Sequence, residues 1–179
     1  LVGSEMCIRD RSNKAPRRTL EMISELLRYQ LYGGNQKVSI LQEIDYLKTY
    51  IALRKLRMSE RLRLRVEFPP ELNELNIYPL LFLPLVENAF KYVGGDYQLD
   101  IIMKWENNRI SLFIRNSIPE LSAEDEALRK SVDERQRKGI GLVNLRRRLS
   151  LLYPNKHRLE TRKEETEFVA ELMIEIEDI

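Results

Sequence analysis

From Pro16 onward Leu20, Ile23, Leu27 and Leu31 recur at spacings of three and four, which predicts a helix with one apolar stripe, ended by Gly33 and Gly34. Ser39 and Gln42 have the spacing of a capping box, so a second helix is expected to start there. Along it Ile40, Ile44, Leu47 and Ile51 keep a heptad-like rhythm, and Tyr46, Tyr50 and Leu53 form an adjacent stripe. Two apolar faces call for two packing partners: the following domain on one side, and a neighbouring helix or a second subunit on the other.

Past Arg61 the period becomes two. Leu62, Leu64, Val66 and Phe68 alternate with charged residues, a half-buried strand closed by Pro69 and Pro70. The strongly apolar stretch after Pro79 predicts a helix whose regular part begins near Pro84 and which Gly94 and Gly95 close. Residues 97–105 and 109–115 read as two strands joined at Asn107-Asn108, a pair that tolerates positive φ. Residues 116–138 carry few apolar positions, as expected of a functional lid or a disordered link, with Ser122 to Val132 able to form a short polar helix. Residues 139–152 predict an amphipathic helix with Leu142, Leu145, Leu149 and Leu152 toward the core, and two alternating runs, at 157–162 and 167–176, complete a sheet. That order predicts an α/β two-layer sandwich, a mixed, mostly antiparallel sheet with helices on one face, preceded by a helical hairpin. Residues 1–12 show neither period and are set aside as a non-native leader; residues 13–60 are expected to be helical and 61–179 the α/β domain.

Composition narrows the chemistry. The 179 residues suit one domain with a helical appendage, and 30 Lys and Arg against 28 Asp and Glu leave no overall field to mark a nucleic-acid or membrane-surface protein. A single Cys and a single His exclude an internal disulfide, a thiolate zinc cage and any multi-histidine metal site. No apolar run approaches the roughly 18 residues of a membrane span, and no signal peptide is evident, so the chain as given is expected to be soluble and intracellular.

Three motifs carry candidate chemistry. On a helix Glu87 and Lys91 lie one above the other with Asn88 about 100° round, a carboxylate, an amide and an ammonium on one edge of an otherwise apolar surface. That set suits a magnesium nucleotide, and equally a plain i,i+4 ion pair. Lys138-Gly139-Ile140-Gly141-Leu142 precedes a helix, where free N–H groups favour phosphate, although many helices start beside a glycine for packing reasons alone. Arg146, Arg147 and Arg148 fan around a helix and read first as a solvated face.

Taken in order, Glu-Asn-Ala-Phe-Lys-Tyr on an apolar helix, a strand pair ending in Asn116, a long polar loop, and Gly-Ile-Gly-Leu-Val-Asn-Leu with Arg-Leu-Ser-Leu-Leu-Tyr-Pro resemble the ATP-binding domain of sensor histidine kinases. The resemblance is closer to the LytS/YehU-type branch of the gyrase, Hsp90, histidine kinase and MutL group, and covers about Leu20 to Ile176. It implies a Bergerat-type ATP-binding fold, with residues 13–60 a remnant of the dimerisation region. It further implies that Asn88 is a magnesium ligand, Glu87 the acidic residue assisting phosphoryl transfer, and Lys91 and Tyr92 nucleotide contacts. Lys138, Gly139, Ile140, Gly141 and Leu142 correspond to the glycine box, residues 117–138 to the ATP lid, and Thr166 to a polar position closing the adenine pocket.

Two departures qualify this. Where the wider group has Asp-X-Gly-X-Gly, this chain has Arg115-Asn116-Ser117-Ile118-Pro119. Asn116 can accept from the adenine amino group through its carbonyl and donate to a ring nitrogen. No run like the family's phosphoacceptor segment precedes Leu20, and His157, in a turn, reads as a solvated residue. The resemblance therefore implies a kinase fragment that binds ATP and Mg2+ and transfers phosphoryl to a histidine outside this chain, with a response-regulator receiver domain as partner. A homodimer through residues 16–60 is implied, with membrane attachment through a preceding region and the domain on the cytoplasmic side. The alternative is a degenerate, non-catalytic ATPase-fold interaction module. Direct nucleic-acid binding is disfavoured by the charge balance.

Overall fold

The computed structural model describes residues 3–32, 36–70, 72, 75–120 and 140–176. Helix α1 (Gly3–Tyr32) and helix α2 (Ile40–Lys55) form the expected hairpin. Helix α1 begins well before Pro16, so residues 3–12, set aside on the sequence, are helical. The capping box forms as read: the Ser39 hydroxyl accepts from the Leu41 N–H at 3.3 Å and the Gln42 side chain accepts from the Ser39 N–H at 3.1 Å.

Strands β2 (Arg63–Glu67), β4 (Gln98–Glu106), β5 (Arg109–Ser117), β6 (His157–Lys163) and β7 (Glu167–Glu175) make one sheet in the order β2-β4-β5-β7-β6. Only the β2–β4 pair is parallel. Asn107 and Asn108 take φ of 51° and 59° in the β4–β5 turn, which sets the register Trp105 to Ile110 and Leu99 to Asn116. Two-residue strands β1 (Val38–Ser39) and β3 (Asn76–Ile77) pair antiparallel and tie the hairpin to the segment before helix α3 (Leu83–Tyr92). Helix α4 (Ile140–Leu152) follows β5 in the described chain.

Period-two alternation puts Leu99, Ile101 and Met103 of β4, Ile110, Leu112 and Ile114 of β5, and Ala170, Leu172 and Ile174 of β7 on one buried face. On it lie Leu85, Val86, Ala89 and Phe90 of α3 and Leu145 and Leu149 of α4, while Leu142 and Leu152 are half-buried. Each of these side chains larger than alanine contributes about 1.5–3 kcal/mol by leaving water. The hairpin shares this core through Leu26, Ile40, Ile44, Tyr46, Leu47 and Ile51. The α1 stripe divides differently from the expectation: Leu26 is buried and Tyr29 packs against the core, whereas Leu20, Leu27 and Leu31 are exposed.

Candidate functional site

Helix α3 carries most of the predicted site. Its apolar face is sunk between the sheet and α4, which leaves Glu87, Asn88, Lys91 and Tyr92 along its margin. The Glu87–Lys91 ion pair does not form. The Lys91 ammonium lies 5.1 Å from the centre of the Tyr92 ring, and Glu87 faces α2. Burial lifts the Glu87 carboxyl above its ordinary range, and the Arg54 guanidinium draws it part of the way back. Arg54 itself lies over the Phe90 ring at 5.7 Å. The Tyr50 hydroxyl is pushed up to about 12, by burial first and then by the Glu87 charge. The half-buried Asn88 side chain forms no hydrogen bond to a described residue, so its carbonyl is available to a ligand.

The end of β5 forms the second part. Asn116 continues the row Ile110, Leu112, Ile114 onto the helix-covered face and is fully buried. Its Nδ2 donates to the Ser117 carbonyl at 3.2 Å, which fixes the orientation of the amide, and its Oδ1 has no partner among the described residues. The donor expected to reach a ring nitrogen is thus partly committed, while the acceptor is free. A buried acceptor without a donor costs about 1–3 kcal/mol, so the position is suited to a ligand that brings an N–H.

Ser117, absent from the predicted set, fixes this corner. Its hydroxyl donates to the Gly94 carbonyl at 2.7 Å and accepts from the Gln98 N–H at 2.9 Å, and the Gly94 N–H donates to the Ser117 carbonyl at 3.0 Å. The end of α3, with Lys91 and Tyr92, is thereby held beside Asn116. Gly94 is required there, since a Cβ would meet Pro119 Cδ at 2.9 Å, and Gly95 has φ +60°. Thr166 lies at the same corner through its backbone, its carbonyl accepting from the Ile118 N–H at 2.8 Å. Its side chain is exposed.

Of the glycine box, Lys138 and Gly139 lie outside the described residues, as does most of the predicted lid and its short helix. Ile140 and Gly141 open α4, and Leu142 is half-buried. A Cβ on Gly141 would meet nothing within 4 Å, so packing among the described residues does not demand glycine there. The arginine run divides as its spacing predicts. Arg146 donates to the Leu159 carbonyl at 2.8 Å and Arg148 reaches the Leu80 carbonyl at 3.4 Å, while Arg147 is exposed.

His157 corrects its expectation. It is the first residue of β6, half-buried, with Nδ1 2.7 Å from the Tyr153 carbonyl, which requires the proton on Nδ1. On the opposite sheet face an open groove is lined by Arg63, Arg65, Gln98, Asp100 and Arg115. Its centre is closed by the Arg115–Asp100 pair at 2.7 Å, and it is separate from the Asn116 corner because adjacent strand residues point to opposite faces. Among the described residues no three His, Cys, Asp or Glu side chains converge to hold a metal, and no helix is long and apolar enough to cross a membrane.

A family model described as "Histidine kinase" matches residues 3–62, beginning inside the segment set aside on the sequence. The sensor protein kinase HptS of Staphylococcus aureus is 27% identical over 153 residues, covering 83% of this chain and 30% of that protein. The chain thus spans about a third of the length of the curated relatives it matches. The histidine kinase AdeS of Acinetobacter baumannii aligns with a TM-score of 0.50 at 16% identity, over 89% of this chain and 76% of that one. The structure of full-length ShkA in complex with AMPPNP aligns with a TM-score of 0.54 at 14% identity, over 97% of this chain and 38% of that one. In sequence this chain is related to the sensor histidine kinases, and its fold is the one seen in their solved structures.

Proposed function

We propose that this chain is the ATP-binding catalytic part of a two-component sensor histidine kinase of the LytS/YehU type, which transfers the γ-phosphoryl of ATP to a histidine outside residues 1–179. The observation that carries the reading is the unpartnered, fully buried Oδ1 of Asn116 at the corner where the end of α3 meets β5. It is an acceptor for the adenine amino group, with Thr166 in the turn before β7 at the rim and Lys91 and Tyr92 on the adjoining helix end. The resemblance to ShkA, solved in complex with AMPPNP, supports the nucleotide class.

In this reading Asn88 holds magnesium through its free carbonyl, jointly with the nucleotide's own phosphates, the usual division for a cation that seldom has an all-protein cage. Bound MgATP supplies the transferable phosphoryl group and its leaving diphosphate. The chain supplies position and charge: Lys91 and Lys138 as cations, and the N–H groups of Gly139 to Leu142 at the start of α4 as donors to phosphate. Glu87, with its carboxyl lifted by burial, serves as the acidic residue that orients or accepts the proton of the incoming histidine. Residues 16–60 form the dimer contact, to which the exposed Leu20, Leu27 and Leu31 belong. A response-regulator receiver domain takes the phosphoryl onward, and attachment to the membrane lies in another part of the protein, leaving this part in the cytoplasm.

The test is magnesium-dependent binding of a fluorescent ATP analogue. Asn88→Ala is expected to abolish the magnesium dependence while leaving the melting temperature nearly unchanged, because Asn88 bonds no described residue. Unchanged magnesium-dependent binding in that variant overturns the assignment. Absence of calorimetric heat for the unaltered chain at high micromolar MgATP would support the non-catalytic module instead.

A further inference from the structure

We propose that Glu43 is a positioning residue that couples the helical hairpin to the nucleotide site by holding the backbone at Leu80. Glu43 is fully buried on α2, in the apolar row between Ile40 and Leu47. Its Oε2 accepts from the Tyr29 hydroxyl of α1 at 2.6 Å and from the Leu80 N–H at 2.9 Å, and the N–H groups of Leu81 and Phe82 also face it. These N–H groups lead into α3. That helix has no side-chain cap of its own, since Phe82 occupies the N-cap position and Pro84 lacks an N–H. A carboxylate from another helix therefore fills the place of a local cap, where the helix dipole favours negative charge.

Leu80 is more than an endpoint. Its φ is +58°, a conformation that a branched side chain adopts only when its surroundings impose it. Those surroundings are Glu43 on its N–H and Arg148 of α4 on its carbonyl, at 3.4 Å. Two residues earlier the Tyr78 N–H donates to the Tyr153 hydroxyl at 3.2 Å, just past the end of α4. One strained peptide thus joins α2, α3 and α4. The latter two helices present Asn88 and Ile140 to Leu142 of the glycine box, so displacing the hairpin displaces both sides of the proposed phosphate region. The consequence for nucleotide affinity rests on the proposed ATP site, while the mechanical coupling does not.

Two measurements on the intact chain separate these. In backbone amide hydrogen exchange, Glu43→Leu is expected to reduce protection at Leu81 to Val86 and within α4, and Glu43→Gln, which keeps an acceptor for the Leu80 N–H, to restore it. Arg148→Met touches neither hairpin helix but is expected to loosen the amides around Tyr29 and Glu43, because coupling is reciprocal. That variant decides the matter if Glu43→Leu fails to fold. In the second measurement Glu43→Leu weakens binding of the fluorescent ATP analogue with magnesium by about fivefold or more, and Glu43→Gln recovers it. The proposal is overturned if Arg148→Met leaves the hairpin amides unchanged, or if Glu43→Leu alters exchange in α1 and α2 alone. If the unaltered chain binds no analogue, the ATP reading fails while the exchange results still decide the coupling.

Discussion

The two ends of α3 are held by different means. At its start, the Leu80 to Phe82 backbone is held by side chains from other helices: a buried carboxylate from α2 and a guanidinium from α4. At its finish, the Gly94 backbone is held by a neutral hydroxyl and a peptide from β5. The first arrangement depends on how α2 and α4 sit against the start of α3. The second depends on the ends of β4 and β5 within the sheet. A helix anchored to the sheet at one end and to the hairpin at the other can pivot, so the proposed adenine corner is expected to stay fixed while the proposed phosphate side responds to the hairpin.

Breaking the fixed end gives the largest effect on stability. Ser117→Ala removes one bond to the Gly94 carbonyl and one from the Gln98 N–H, leaving both backbone groups poorly satisfied, and is expected to cost about 2–3 kcal/mol in urea unfolding. Because the loss falls at the proposed adenine corner, affinity for the fluorescent ATP analogue should fall with it. Gly94→Ala puts a Cβ 2.9 Å from Pro119 Cδ, a ring atom bonded to the backbone nitrogen, so the chain at Pro119 must shift. About 1–3 kcal/mol is expected from thermal melts. If both variants unfold like the unaltered chain, the sheet is not what secures this end.

The same contrast explains what was legible in the sequence. The Asn107-Asn108 turn, the Ser39–Gln42 box and the regular start of α3 near Pro84 rest on signals within four residues, and each forms as read. Strands β1 and β3, two residues each, cannot show a period, and their pairing of Val38 with Ile77 is a long-range fact. On α1 the period found a true apolar row but not which row would be covered: Leu26 and Tyr29 meet α2 and the core, and Leu20, Leu27 and Leu31 do not. Asn116 was assigned a role only through family resemblance, yet its place in the row Ile110, Leu112, Ile114 marks it as a polar residue on a buried face. Glu43 carried the same kind of signal, three residues after Ile40 and four before Leu47, and was missed because the QEID stretch reads as polar. Ser117 offered no signal, since serine at a strand end is ordinary.

The smallest expected effect is a pH dependence that probes the pivoting end directly. Burial raises the Glu43 carboxyl above its ordinary value, and the Tyr29 hydroxyl and the N–H groups of Leu80, Phe82 and Leu81 offset this in part. The other titratable groups that sense its charge are Tyr46 and Tyr153, whose own hydroxyls are pushed upward and remain protonated through the neutral range. A carboxyl raised in the folded state binds its proton more tightly there than in the unfolded chain. Its contribution is present in full below the unfolded value, about 4.3, and is lost as pH rises through the folded one. The stability of the unaltered chain relative to Glu43→Gln should therefore decline from about pH 4 toward neutrality, by about 1.4 kcal/mol for each unit by which the carboxyl is raised. Paired urea titrations of the two proteins across that range measure the slope. A difference that is flat or rises with pH would mean that the donors around Oε2 outweigh burial, and that the carboxylate at Leu80 is stabilised in place, making the hairpin end as fixed as the sheet end.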